Sequence, residues 1–167
     1  MTVDDVCAEA GLSKGAFYSH FDSKRALLDA LVDDDAGAVT AAMDRLEARD
    51  LDGPQCLRQL TQVMLGRAAD PSRVQVRADL WAAVLTEPEL RRRVRATVES
   101  QRRIVRRWVE EAIASGEIID LPANALASVL LGLNDGLMLH RALDEGGFRW
   151  ANIGRVLDAL LAGIATR

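Results

Sequence analysis

From Lys24 to Ala48 the apolar side chains return at helical spacing: Leu28, Val32, Val39, Met43 and Leu46 lie four, seven, four and three residues apart. That period places them on one stripe of an α-helix and on no single face of a strand. The pattern recurs. Leu57, Leu60, Thr61, Met64 and Ala68 form a second stripe, and Ile153, Val156, Leu157, Leu160, Leu161 and Ile164 a third. No segment shows sustained two-residue alternation rich in β-branched residues, so the expectation is an all-α fold without a sheet. Pro54, Pro71, Pro88 and Pro122 each precede a helical pattern. Proline suits a first helical turn, where its missing N–H has no intrahelical partner to lose. With starts read from the prolines where they occur, the pattern gives eight helices, at about 3–10, 14–19, 24–48, 54–69, 72–85, 88–115, 122–143 and 148–165. The stretch 50–53 and the pair Gly146-Gly147 read as turns.

Composition narrows the function classes. The chain has 167 residues, 49% of them hydrophobic and 28% charged, which suits a globular unit with a true core. No apolar run is long enough to span a bilayer, and the N-terminus has no basic segment leading into an apolar one. A cytoplasmic protein without membrane contact is therefore expected. The formal net charge of −4 argues against a protein that coats nucleic acid, so any DNA contact must come from a local site. Cys7 and Cys56 lie far apart among apolar neighbours and read as buried free thiols. Catalytic signals are lacking. His20 and His140 are the two histidines, and no HExxH, CxxC, GK[ST] or GxGxxG pattern occurs. Neither an enzyme nor a metal or cofactor site is expected.

The most informative segment is Thr2–Leu31, TVDDVCAEAGLSKGAFYSHFDSKRALLDAL. Thr2 is placed to cap the first helix, with Asp5 at the third helical position completing a capping box. Gly11 suits a left-handed helix end, Leu12 is expected to point inward across the turn, and Ser13 caps a second short helix. Val3, Val6, Cys7 and Ala10 form the packing face of the first helix, and Phe17 and Phe21 join the core. A helix, a glycine turn and a Ser-capped helix make a helix-turn-helix, whose second helix fits a major groove about 12 Å wide.

The residues Thr2-Val3, Ala8, Ala10-Gly11-Leu12-Ser13, Gly15, Phe17-Tyr18, His20-Phe21, Lys24 and Leu27-Leu28 resemble the DNA-binding region of the tetracycline-repressor (TetR) family of bacterial regulators. The resemblance implies a recognition helix over Ser13–His20. Lys14, Gly15, Ala16 and Ser19 would then face base edges, with Tyr18, His20 and Lys24 on phosphates and Thr2 on a phosphate at a helix N-terminus. The residue types fit these roles. Gly15 and Ala16 are small enough for close approach, Lys14 is a donor for guanine, and Tyr18 carries a hydroxyl on a rigid ring. Against this, Thr2–Asp29 holds Lys14, Lys24 and Arg25 but also Asp4, Asp5, Glu9, Asp22 and Asp29. Members of the family carry a further helix ahead of this motif, and the chain begins at what would be their second helix. The expectation is a motif read from a late start, with division into a DNA-binding region over 1–28 and a helical ligand-binding and dimerisation domain over 29–167.

Within the larger region, 91–107 carries eight arginines. Leu90, Val94, Val98, Val105 and Trp108 form a stripe on the other side, so the arginines read as a solvated face. Ser128, Gly132 and Gly136 recur every four residues and let a second helix axis come close. With Leu157, Leu160, Leu161 and Ile164 they are expected to build half of a four-helix bundle across a homodimer axis, as the resemblance also implies. Met64, Trp81, Leu85 and Trp108 are candidate walls of an effector pocket, with Asn134, Asp135 and Met138 adding polar recognition. Asp135 lies in the apolar run LLGLNDGLMLH. A carboxylate there needs a partner, either an arginine or a cationic ligand. The resulting expectation is a cytoplasmic repressor that leaves double-stranded operator DNA when a small-molecule effector binds. The competing reading is a dimeric ligand-binding or protein-interaction domain that does not bind DNA.

Overall fold

The computed structural model describes residues 2–144, 146–147 and 149–166, with side chains described throughout these except at 71–76 and 142. Among the described residues eight helices follow one another: α1 (Val3–Ala10), α2 (Lys14–Tyr18), α3 (Lys24–Glu47), α4 (Gly53–Ala69), α5 (Pro71–Thr86), α6 (Pro88–Ala114), α7 (Ala123–Leu143) and α8 (Trp150–Gly163). Among the described residues there is no β-strand, only an isolated bridge between Ile118 and Ala165. The start expected for the last helix, Phe148, lies outside the described residues.

Side-chain caps fix the starts of the first four helices. Ser23 Oγ accepts from the Ala26 amide at 3.1 Å and opens α3; Asp52 Oδ1 accepts from the Gln55 amide at 2.8 Å and opens α4. Because Asp52 is the cap, α4 begins at Gly53, one residue before its proline. Gly53 is thus not part of a turn. It is buried on α6, where a Cβ would overlap the Trp108 carbonyl oxygen and lie 3.1 Å from Glu111 Cβ. Only glycine permits that approach of the two backbones.

The helices bury two apolar clusters. In the larger, Val39, Met43 and Leu46 of α3 meet Cys56, Leu57, Leu60 and Met64 of α4, Val105, Trp108 and Val109 of α6, and Ala127 and Leu131 of α7. In the smaller, Leu28 and Val32 of α3 meet Leu80 and Val84 of α5 and Leu90 of α6. Helix α3 contributes to both, so its first half and second half rest on different neighbours. The boundary drawn at 28/29 falls inside this one continuous helix. Both cysteines are free and buried, and burial pushes the Cys56 thiol above its ordinary range.

Helix α8 packs on α4 and is tied at its end to the α6–α7 connection, through Ile119 N–H to Ile164 O at 2.8 Å and Thr166 N–H to Glu117 O at 2.9 Å. An apolar groove of about 260 Å³ remains between α4, α7 and α8. Among the described residues no helix is long and apolar enough to cross a membrane.

A candidate DNA-reading head and effector cavity

The N-terminal head is built by local hydrogen bonds. The Thr2 hydroxyl accepts from the Asp5 amide at 3.2 Å, and the Thr2 amide donates to Asp5 Oδ2 at 2.6 Å, completing the capping box. These bonds to Thr2 hold the Asp5 carboxyl below its usual range. Gly11 takes a left-handed φ of 64° and ends α1. Ser13 Oγ then accepts from the Ala16 amide at 3.1 Å and opens α2. Phe17, buried, anchors α2, with the Tyr18 ring edge-on at 5.2 Å and Phe21 at 5.7 Å.

This anchoring turns the candidate reading residues outward. Thr2, Ser13, Lys14, Gly15, Tyr18, Ser19, His20 and Lys24 are exposed, and Ala16 is half-buried. The Thr2 hydroxyl accepts in the capping box and keeps its own proton for a further acceptor. Lys14 is engaged within the chain: its Nζ lies 2.7 Å from Asp4 Oδ1, and that carboxylate raises the ammonium's pKa. His20 Nδ1 lies 2.9 Å from Ser19 Oγ and 3.1 Å from the Ala16 carbonyl oxygen, which fixes the ring at the end of α2. Two expectations need correction. Leu12 does not point inward but is 54% exposed, and Ala10 is exposed beside it. The turn after left-handed Gly11 carries Leu12 to a side of the head that no described element covers.

The second feature is a cavity of about 180 Å³ between the two apolar clusters, bounded by α3, α4, α5, α6 and α7. Met64, Trp81 and Asp135, expected at a pocket, are brought together in its wall. The other expected residues are placed elsewhere. Leu85 is 64% exposed on the outer side of α5, where the turn of the helix points it to solvent. Trp108 is consumed by the larger core cluster, and Met138 is buried on α7 away from the cavity. Asn134 points the other way round α7, into the apolar groove beside α8, and its Oδ1 is buried without a partner. Ser128 and Gly132, expected at a subunit interface, border the cavity.

The cavity holds ion pairs invisible to local sequence reading. Arg77 of α5 reaches Asp135 Oδ1 at 2.5 Å with one terminal nitrogen and Asp35 of α3 at 2.8 Å with the other. Arg67 of α4 also meets Asp35 at 2.8 Å. The partner that Asp135 requires is thus an arginine. Burial still raises the Asp135 pKa, with Arg77 opposing the shift. Arg102 lines the same cavity and is half-buried, which departs from a wholly solvated arginine face. Arg95 and Arg106 keep to the expectation, pairing on the surface with Glu99 at 2.8 Å and Glu110 at 3.5 Å, whereas Arg93 is half-buried. Asp35, Arg77 and Arg102 were not singled out by spacing. Asp35 is the last of three consecutive aspartates, and Arg102 is one of eight clustered arginines.

Further pairs clamp the start of α3 to the body. Arg25 lies 3.1 Å from Asp29 and 2.7 Å from Glu87, and Arg93 of α6 lies 2.8 Å from Asp29 and 2.6 Å from Asp33. Val129, Leu139 and Leu143 of α7 and Val156 and Leu160 of α8 are exposed. A Cβ added at Gly132 or Gly136 would meet nothing within 4 Å. Leu157 is buried within the chain, and Leu161 and Ile164 are half-buried. Among the described residues no cluster of His, Cys, Asp or Glu is suited to hold a metal ion.

Known proteins bear directly on this arrangement. Residues 55–166 match the family model described as BetI-type transcriptional repressor, C-terminal, and residues 1–31 match the one described as bacterial regulatory proteins, tetR family. No curated protein matches. Among solved structures, a TetR-family transcriptional regulator from Agrobacterium tumefaciens is 24% identical with a TM-score of 0.80, over 99% of this chain and 87% of its own. A ketosteroid transcriptional regulator of Mycobacterium tuberculosis is 19% identical with a TM-score of 0.80, over 100% of this chain and 85% of its own. A regulator from Saccharomonospora viridis in complex with choline is 22% identical with a TM-score of 0.71, over 99% and 87%. These structures share the all-helical fold. Because the two family models between them take in both the head and most of the body, the chain belongs to the TetR family of bacterial DNA-binding transcriptional regulators.

Proposed function

We propose that the chain is a homodimeric repressor that a small-molecule effector releases from double-stranded operator DNA. The observation that carries this reading is the position of α3. Its first residues follow directly on the reading head, and Val32, Asp35, Ala36 and Val39 further along it line the cavity. A ligand that shifts these wall residues shifts the helix from which α1 and α2 hang. Effector and operator then compete through a coupling free energy, without touching each other. The exposed apolar side chains of α7 and α8, with Gly136 among them, support a two-fold bundle between copies. Such a pair sets two heads for half-sites about 34–36 Å apart. In this reading 1–28 serves DNA and 29–167 serves ligand and partner, with α3 common to both.

The roles proposed at the DNA are Lys14, Gly15, Ala16 and Ser19 at base edges and Thr2, Tyr18, His20 and Lys24 at phosphates. The second reading, a dimer that does not bind DNA, draws on Asp4, which already occupies Lys14. Selection from a random duplex library separates the two. A repressor enriches a palindromic site, and Lys24→Ala weakens binding to it and lowers the salt slope by about one. Failure to enrich any sequence leaves the second reading.

A further inference from the structure

We infer that the effector is a small monocarboxylate with an apolar body about the size of one ring, its carboxylate bound by Arg102. This rests on the reading of the cavity as the effector site. Three observations lead to the chemical class.

The first is charge. Each charged group facing the cavity except one is matched. Asp35 of α3 is held by Arg67 and Arg77, and Asp135 of α7 by Arg77. On α6, Glu99 lies one turn from Arg102 and feels its charge, but its carboxylate is bonded to Arg95. Among the described residues nothing accepts a hydrogen bond from Arg102, and its Nε is buried without an acceptor. A half-buried guanidinium with a free Nε donor is open to an anion, and its fork geometry favours a planar carboxylate.

The second is the rest of the wall. Val39, Leu80, Trp81, Val84, Val98 and Leu131 present hydrocarbon and one indole to the same space. The ligand therefore needs an apolar body as well as its charge. The third is size. The cavity measures about 180 Å³, and a dry cavity of about 150 Å³ accepts benzene. One ring or a short acyl chain fits, and a nucleotide or a fused-ring skeleton does not. An organic cation would find Trp81 but no unpaired carboxylate, and would sit beside Arg77 and Arg102.

Calorimetric titration of the full chain with benzoate, benzamide and choline tests this. Benzamide keeps the shape of benzoate and removes its charge. Benzoate is expected to bind at least about tenfold more tightly than benzamide. Arg102→Gln should abolish that preference, with an unchanged circular dichroism spectrum and urea midpoint reporting an intact fold. Equal binding of benzoate and benzamide by the unaltered chain would overturn the inference, as would a preference that survives Arg102→Gln. Choline binding more tightly than benzoate, with or without Arg102, would overturn the carboxylate class and leave the cavity standing as the effector site. If none of the three binds, the carboxylate inference fails, and the effector-site reading is judged separately by a variant that fills the cavity without any ligand.

Discussion

The reading head and the helical body are held together by different physics. In the head, the side-chain capping bonds of α1 and α2 each span three residues, and among its described residues only Cys7 and Phe17 are buried. In the body, two apolar clusters are bridged by ion pairs between residues 32, 42 and 58 positions apart. Local bonding makes a head that can loosen and re-form on DNA without unfolding the body. Long-range pairing ties distant helices of the body to one another, as the proposed switch requires.

The contrast is strongest at Gly53. Gly53→Ala forces a methyl into the Trp108 carbonyl and should destabilise the body by about 3 kcal/mol, read as a lower urea midpoint. An alanine at Gly132, where there is open space, should leave the chain's own stability within about 1 kcal/mol. If the two substitutions cost the same, the α4–α6 approach is not what fixes the body.

Arg77→Met comes next. Asp35 keeps Arg67, but Asp135 loses its arginine in a largely buried setting. A loss on the order of 2 kcal/mol is expected, smaller in Asp135→Asn/Arg77→Met than in Arg77→Met alone. A double-mutant cycle in urea measures the coupling. In the head, Ser13→Ala should cost about 1 kcal/mol and act locally. It should speed amide exchange at Ala16 and Phe17 while the midpoint of the body stays put. A shifted global midpoint would mean that head and body unfold as one unit.

The smallest effect expected is a pH dependence. Burial raises the Asp135 pKa above its ordinary value of 3.8, so the folded chain holds that proton to higher pH than the unfolded one. Its contribution to stability is complete below about pH 4 and is lost as pH rises through the folded pKa. The stability of the unaltered chain relative to Asp135→Asn should therefore fall on going from pH 4 to pH 7. An unchanged difference would remove the desolvation of Asp135 from the account.

The same contrast explains what could be read from the sequence. The eight helices and both caps of the head follow from short-range patterns, because Thr2-x-x-Asp5, Gly11 and Ser13 act on neighbours within one turn. The apolar stripe of α3 likewise states which of its residues are buried. The cavity is different. Asp135 announces itself as a carboxylate in an apolar run, but its partner Arg77 has no local signature, and Arg102 is hidden among arginines that face water. Trp108 and Met138 looked as suitable for a pocket as Trp81 and Met64. Which of them meets the cavity depends on the rotation of each helix against its neighbours, which side-chain type does not encode. Gly53 shows the limit in reverse, since a glycine beside a proline reads as a turn until the opposing backbone is in view.

The operator affinity of Val98→Phe measures most directly whether α3 carries the state of the cavity to the head. The larger ring fills part of the space beside Trp81 with no ligand present and leaves every candidate DNA contact untouched. With the fold intact by circular dichroism, affinity for the selected operator should fall at least about fivefold relative to the unaltered chain. Equal affinity in the two proteins would contradict the coupling between cavity and reading head.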